Sequence, residues 1–174
     1  GKQPVAFIQF ADFLPCAYNQ IFSELATMYW RTNGGWQSPV IVFAACGAYR
    51  PGLGPFHSQT NEATFAHIPG LDVYMPSNAA DAVGMLNAAF KSQRPSLFLY
   101  PKKLLNNGSI EDTTSYDVSK QLIPVGKARI AKSGNDITLV GWGNTVALCL
   151  QVAESLENVG VTAEVIDLRT IKPY

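Results

Sequence analysis

His57 and His67 are the only two histidines in the chain, so they come first in a search for groups that move protons near neutral pH. His57 closes the stretch PGLGPFH, in which glycine and proline alternate before a phenylalanine. Such a loop either rounds a corner or presents His57 to a ligand, where it could donate or accept a proton. His67 precedes Ile68-Pro69-Gly70 and reads as the anchor of a short helix's end; composition alone does not separate the two. QFADF, Gln9 to Phe13, offers a different chemistry. Phe10 and Phe13 are either core side chains or, for Phe13 beside Asp12 and Leu14-Pro15, a face for a flat heterocycle. Cys46 reads as a buried residue closing a strand and not as a nucleophile. No Ser-His-Asp or Cys-His pairing is evident, and no histidine, cysteine and carboxylate cluster has metal spacing. GWGNT, Gly141 to Thr145, lies between a strand and a helix, where backbone amides can hold phosphate. Val146 stands where a dinucleotide fingerprint needs its third glycine, so a tight turn is the simpler reading.

The elements that would position these residues alternate in type. Val5 to Phe10 reads as a short buried strand, and Ala17 to Thr32 as a helix with Ile21, Leu25 and Met28 on one face and Tyr18 and Phe22 beside it. Asn33-Gly34-Gly35 ends that helix. Val40 to Phe43 is a second strand, which puts His57 and the end of QFADF at the carboxyl ends of strands, where ligands gather in an open parallel sheet. Thr60 to His67 is predicted as a short helix, Asp72 to Met75 as a strand, and Ser96 to Tyr100 as another. Asn78 with Asp81 resembles a capping box for a helix whose buried stripe is Val83, Leu86 and Phe90. A polar, aperiodic stretch over residues 104–123 reads as a linker. Beyond it, Lys127 to Ala131, Asp136 to Val140 and Thr162 to Ile166 are predicted strands. Asn144 to Glu157 is a predicted helix with Val146, Cys149, Val152, Ala153 and Leu156 inward. Strands alternating with helices imply an α/β fold of parallel sheets covered by helices. It falls in two pieces, 1–103 and 124–174, the second too short for a complete three-layer domain.

Bulk properties narrow the function. Lys plus Arg equal Asp plus Glu at 13 each, for a net charge of zero, which argues against electrostatic capture of nucleic acid or an anionic membrane. No apolar stretch approaches the ~20 residues of a membrane span. The opening GKQPVAFIQF lacks a signal peptide's regions, and its immediate strand suggests a chain already under way. Three widely spaced cysteines fit neither a zinc site nor a disulfide framework, and read as buried apolar groups in a reducing compartment. An apolar content of 47% implies some surface covered by a partner.

Three blocks then line up with one family: QFADF, CGAYRPGLGPFHSQTNEATFAHIPGLDVYMPS and EVIDLRTIKP. Together, in this order and over nearly the whole chain, they resemble the beta subunit of thiamine-diphosphate-dependent 2-oxoacid dehydrogenases of the pyruvate and branched-chain type. The resemblance implies a partial transketolase-like pyrimidine-binding domain followed by the start of a transketolase C-terminal-type domain. It implies thiamine diphosphate as cofactor, bound between this subunit and an alpha subunit or alpha region that supplies the diphosphate and magnesium site. Phe13 would pack on the aminopyrimidine ring, Gln9 would lie beside it, and His57 would face the thiazolium and substrate, serving 2-oxoacid binding and acyl transfer to lipoamide. A second beta subunit and a lipoyl-bearing acyltransferase core are the further implied partners. The compartment would be the cytoplasm in a bacterium or the mitochondrial matrix in a eukaryote. Acetoin cleavage or another transketolase-like reaction stays open, as does a non-catalytic assembly role.

The sequence also departs from the family. The family's glutamate, which contacts the pyrimidine nitrogen, lies upstream of the QFAD strand and before Gly1, and much of the C-terminal domain lies beyond Tyr174. The chain is therefore expected to be a fragment that is inactive alone. Phe43-Ala44-Ala45 stands where the family often has an arginine. Lys91-Ser92-Gln93-Arg94 occupies a loop that binds a monovalent cation in some members; two positive charges and no carboxylate argue against one here.

Overall fold

The apolar run Ile41–Cys46 forms the central strand β2, and nearly every side chain in it is buried. In a computed structural model, which describes residues 2–105 and 120–174, β2 lies between two parallel neighbours, β1 (Val5–Ile8) and β4 (Ser96–Pro101). β4 in turn pairs in parallel with β3 (Asp72–Tyr74). Alternation of side chains across β2 divides the core in two. Val42, Ala44 and Cys46 face a cluster with Leu14, Ile21, Phe65 and Leu99, whereas Ile41 and Phe43 face Tyr74, Met85, Ala89 and Phe98. Helical segments on both faces supply these partners, as a parallel sheet requires. β1 is the exception. It is an edge strand, and Val5 and Phe7 stand 48% and 62% exposed, not buried as the sequence suggested.

The helix expected at 17–32 starts earlier and is not regular. It opens as a 3₁₀ segment, Ala11–Ala17, containing Pro15, passes through a π-helical stretch, Gln20–Leu25, and ends as α1 (Met28–Arg31). Pro15 has no amide hydrogen to give and crowds the preceding turn, which disfavours a regular α-helix there. Ile21 is nevertheless buried as expected, Leu25 and Met28 are half-buried, and Tyr18 stacks on Phe22 at 5.7 Å. After β2 come the loop of His57 and the short helix α2 (Glu62–Ala66). Helix α3 (Ala79–Ser92) begins as the capping signal indicates, the Asp81 amide donating to Asn78 Oδ1 at 2.8 Å. Of the expected stripe Val83, Leu86 and Phe90, Leu86 is half-buried and packs on the core cluster, but none is fully buried. The fully buried positions are Asp81, Gly84, Met85, Ala88 and Ala89, and Phe90 stays 38% exposed. Small residues let the helix come close to its neighbours: the Gly84 carbonyl accepts from the Ile123 amide at 3.2 Å, and a Cβ on Gly84 would meet Ile123 Cγ1 at 2.8 Å.

Most of the expected linker, residues 106–119, lies outside the described residues. Its last described part is docked, with Ile123 packing beside Val125 against the α3 side of the sheet. The chain then forms β5 (Arg129–Lys132), β6 (Ile137–Gly141), helix α4 (Thr145–Glu157), β7 (Ala163–Asp167) and β8 (Thr170–Lys172). The second sheet has the order β5-β7-β6. β6 and β7 are parallel because α4 carries the crossover, but β5 runs antiparallel to β7, since only residues 133–136 join it to β6. β8 leaves this sheet and joins the first one, antiparallel to β3. The sheets are thus parallel at their centres and antiparallel at one edge each. On α4, Val146 and Ala153 are buried, while Val152 faces out at 48% exposure. Among the cysteines, Cys46 is buried and Cys149 half-buried, but Cys16 is exposed, contrary to the packing role inferred from sequence. No helix among the described residues is long and apolar enough to cross a membrane.

Candidate functional site at the carboxyl rim of the first sheet

β1 ends at Ile8 and β2 at Cys46, so the residues that follow each strand meet on one rim. Phe10 packs its ring against His57 at 4.7 Å between centroids and 83° between planes. Phe13 approaches the same imidazole at 6.0 Å and 85°, and Phe10 at 6.0 Å and 73°. Edge-to-face contacts of this kind are the preferred aromatic geometry. His57 is half-buried, Phe13 is 39% exposed, and Gln9 is exposed at the end of β1. Phe13 and His57 are therefore in contact, and Gln9 shares their rim. His67, by contrast, caps α2, its amide donating to the Ala63 carbonyl at 3.3 Å, as the sequence suggested.

Two charged side chains hold the His57 loop. Asp12 Oδ1 accepts from the amides of Ser58 at 3.1 Å and Gln59 at 3.0 Å. Beside it, Asn61 Nδ2 donates to the Ala11 carbonyl at 2.8 Å, and the Gly47 amide donates to the Gln59 carbonyl at 3.0 Å. From the other side Lys102, which follows β4 and is 6% exposed, donates from Nζ to the His57 carbonyl at 2.5 Å. Its ammonium also lies 4.7 Å from the centroid of Phe10 and 5.8 Å from that of Tyr49. Beneath them, burial pushes the Cys46 thiol up to about 12, with a further push from Glu62 and opposition from Lys102. A thiol held protonated is no nucleophile near neutral pH, which agrees with reading Cys46 as a strand-closing core residue.

The GWGNT turn has been filled by protein. Gly143 adopts φ +53, and a Cβ there would stand 3.0 Å from Pro101 Cγ and 3.1 Å from Met75 Cγ. Thr145 Oγ1 takes the Trp142 amide at 2.9 Å and donates to the Trp142 carbonyl at 2.7 Å. The Trp142 indole donates to Glu62 Oε1 at 3.4 Å. The turn is a joint between the two sheets, in keeping with the simpler reading of a tight turn. Lys91 and Ser92, read as part of a loop, are the last residues of α3, and beside them at Arg94 the fold brings in a carboxylate that the local sequence does not contain. Arg94 Nη2 donates to Asp72 Oδ1 at 2.8 Å and its Nε reaches both carboxylate oxygens; the bond to Asp72 pushes the guanidinium's pKa up. Among His, Cys, Asp and Glu of the described residues, no group of three or more is placed to hold a metal ion.

Sequence reasoning missed Lys102, which it left at the threshold of the linker. One signal was available: Lys102 directly follows the strand-ending Pro101 and so belongs to the same carboxyl rim as His57. From sequence, Asp12 stands only as a neighbour of Phe13. Its role depends on amides 46 and 47 positions away, which no local pattern encodes.

A largely parallel sheet with aromatic, imidazole and polar groups gathered at its carboxyl rim is the arrangement of an α/β ligand-binding domain. Comparison with known proteins gives the family. Residues 1–107 match the pyrimidine binding domain of transketolase, and residues 126–174 match the transketolase C-terminal domain. The chain belongs to the transketolase pyrimidine-binding domain family. It is 41% identical over 175 aligned residues to the 2-oxoisovalerate dehydrogenase subunit beta of Bacillus subtilis, covering 99% of this chain and 51% of the relative. It is 36% identical to the pyruvate dehydrogenase E1 component subunit beta of Acholeplasma laidlawii, again covering 99% and 51%. A third relative, the beta subunit of the acetoin:2,6-dichlorophenolindophenol oxidoreductase of Cupriavidus necator, is 34% identical and covered at 99% and 49%. The chain thus spans about half the length of these curated relatives. Among solved structures, a split-gene transketolase described as an inactive beta4 tetramer shares the fold at a TM-score of 0.74 and 22% identity, over 98% of this chain and 50% of that one.

Proposed function

We propose that the chain is part of the beta subunit of a thiamine-diphosphate-dependent 2-oxoacid dehydrogenase, supplying the aminopyrimidine side of the cofactor site. The observation that carries this reading is the convergence of an exposed Phe13 and a half-buried His57 on one rim. The residues present fit the group: Phe13 leaves ring surface open to a flat heterocycle, and Gln9 adds an exposed amide at the same strand end. The cofactor, when bound, supplies the electron sink that loss of carbon dioxide from a 2-oxoacid needs. This chain's residues then do three things. Phe13 stacks on the pyrimidine and fixes its plane. Gln9 offers a hydrogen bond beside that ring. His57 gives or takes a proton at the substrate oxygen and at the lipoyl sulfur during acyl transfer.

The proposed division is a pyrimidine-binding part, residues 1–103, a linker, 104–123, and the first part of a C-terminal domain, 124–174. The proposed partners are an alpha subunit that holds the diphosphate and magnesium, a second beta subunit, and a lipoyl-bearing acyltransferase core. Its compartment is the cytoplasm in a bacterium or the mitochondrial matrix in a eukaryote. The acetoin-cleaving relative keeps a second substrate class in view. Because the site is shared, the 174 residues alone are expected to be inactive; turnover of a 2-oxoacid by them without an alpha partner would overturn that expectation.

The experiment is to co-express the full subunit with its alpha partner and compare pyruvate, branched-chain oxoacids and acetoin as substrates. His57→Ala is expected to lose acyl transfer to lipoamide, and Phe13→Ala to weaken thiamine diphosphate binding. Wild-type rates in both half-reactions for His57→Ala, or unchanged cofactor affinity for Phe13→Ala, sink the respective role.

A further inference from the structure

A buried lysine usually has a carboxylate for its charge. Lys102 instead directs its ammonium at a backbone carbonyl and at two aromatic rings. The two ends of the glycine-rich loop meet on it: Tyr49 near the loop's start lies under the ammonium, and His57 at its end supplies the carbonyl. Phe10 lies nearer the imidazole than Phe13 does, 4.7 against 6.0 Å, and nearer the ammonium than Tyr49 does, 4.7 against 5.8 Å. Glycines 52 and 54 have no neighbour within 4 Å of a Cβ position, so the middle of the loop is not held by packing at those points. Beyond them the Pro55 carbonyl accepts from Gln59 Nε2 at 2.6 Å, and the charged contacts lie toward the loop's ends, from Lys102 to the His57 carbonyl and from Asp12 to the amides of Ser58 and Gln59.

We propose that Lys102 is a positioning residue for His57: by holding the His57 carbonyl and the faces of Phe10 and Tyr49 together, it sets the angle at which the imidazole enters the site. It acts through His57 and touches no reacting atom. The inference rests on the reading that His57 serves acyl transfer. A partly desolvated cation over a π-face is an attractive contact, and a hydrogen bond from a charged donor is among the stronger ones. The loop's charge environment includes this ammonium, the Arg50 guanidinium 5.4 Å from the Tyr49 ring, and the carboxylates of Asp12 and Glu62; Lys102, Asp12 and Glu62 all act on the Cys46 thiol below. Loss of the ammonium leaves the His57 carbonyl without its donor and the two rings without their common contact. Misplacement of a proton-transfer group by about 1 Å can cost on the order of 100-fold in rate.

The test is a double-mutant cycle in the full subunit assembled with its partner, with Lys102→Met, His57→Ala and the pair. Lys102→Met is expected to slow acyl transfer at least about tenfold in kcat with KM for the 2-oxoacid unchanged, and to cause no further loss in the His57→Ala background. Lys102→Arg, which keeps a cationic donor over the rings, is expected to recover most of the rate. An independent readout is the ring signal of His57 in the assembled protein labelled with ¹³C-histidine, with His67 as internal control. That signal should move in Lys102→Met and return in Lys102→Arg. An unmoved His57 signal, or a loss that simply adds to that of His57→Ala, overturns the role of Lys102. If His57→Ala alone keeps wild-type transfer, the reading of His57 fails, and the histidine signal still decides whether Lys102 positions the ring. Lys102→Gln carries the same test should the methionine variant fail to assemble.

Discussion

Arg169 closes its guanidinium on Asp81, Nη2 to Oδ1 at 2.8 Å and Nε to Oδ2 at 3.1 Å, and so fastens the turn between β7 and β8 to the first turn of α3. Both partners are largely buried, with side chains 16% and 8% exposed. Arg129 and Ser77 extend the junction by reaching Asp167 Oδ2 at 3.3 and 2.5 Å. Arg169 also adopts φ +61, and its carbonyl accepts from the Met75 amide at 2.9 Å. The IDLRT motif is thus the clasp between the two sheets.

Removing one member of a buried ion pair strands the other, typically at a cost of about 3–5 kcal/mol. Arg129 Nε, 3.5 Å from Asp81 Oδ2, offsets part of that. Arg169→Ala is therefore expected to lower stability by about 3 kcal/mol in urea unfolding. Arg169→Lys should recover less than half, because an ammonium cannot make the two-armed contact. A loss under about 0.5 kcal/mol for the alanine variant, the level of an ordinary surface change, would show that the clasp does not hold the sheets.

Asp12 holds the amides of Ser58 and Gln59 as a shared acceptor. Asp12→Ala leaves both without it and should speed their hydrogen exchange by at least about tenfold while core amides of β2 stay unchanged, the mark of a local opening. Asp12→Asn keeps an acceptor oxygen and should preserve most of the protection. Equal protection of both amides in the alanine variant would falsify this anchoring role.

The fold was legible wherever one local rule decided it. The Asn78 cap worked because its acceptor reaches only three residues ahead, to the amide of Asp81. The central strands worked because parallel strands buried on both faces are apolar throughout. On α3 the expected Leu86 packs on the core cluster, but the fully buried positions include smaller residues, Gly84, Ala88 and Ala89, and an acid whose partner lies 88 positions away. Exposure of Phe7 on β1 depends on which strand lies at the edge, a property of topology. At the rim, His57 and the end of QFADF with Phe13 could be placed by counting strand ends, whereas the role given to Gln9 comes only from the family resemblance. Counting strand ends also puts Lys102 on this rim, directly after Pro101, but its contact with His57 spans 45 positions and no local pattern encodes it.

Cys46 makes stability depend on alkaline pH. Its buried thiol, raised from near 9 to about 12, keeps its proton in the native state while the unfolded chain releases its own. The native state is therefore favoured fully below about pH 9 and progressively less as the pH rises toward 12, by at most about 1.4 kcal/mol per pH unit for one group. Between pH 9 and 10 the urea midpoint should fall, and less steeply in Cys46→Ala. Burial also pushes the Tyr74 hydroxyl up, which adds the same trend above pH 10 in both proteins. Parallel slopes for the two proteins between pH 9 and 10 would remove Cys46 as the cause.

Gly70 carries the most severe single constraint on the first sheet's helical cover. Its φ is +83, and a Cβ there would stand 2.2 Å from the Ala26 carbonyl oxygen, just past the π-helical stretch. A backbone atom cannot swing aside as a long side chain can, so alanine must either displace the end of the 11–31 helical run or shift the turn before β3. Both moves disturb the cluster that includes Ile21, Ala26, Ile68 and Leu71. Strain at a positive φ costs about 1–2 kcal/mol on its own, and overpacking adds typically about 1–3 kcal/mol. Gly70→Ala is expected to lose roughly 3 kcal/mol, whereas Gly52→Ala, with a comparable φ of +85 but open space around it, should lose only the conformational part. The two variants, unfolded side by side in urea, separate backbone conformation from close contact. Equal losses would mean that the approach of Gly70 to Ala26 is not a constraint.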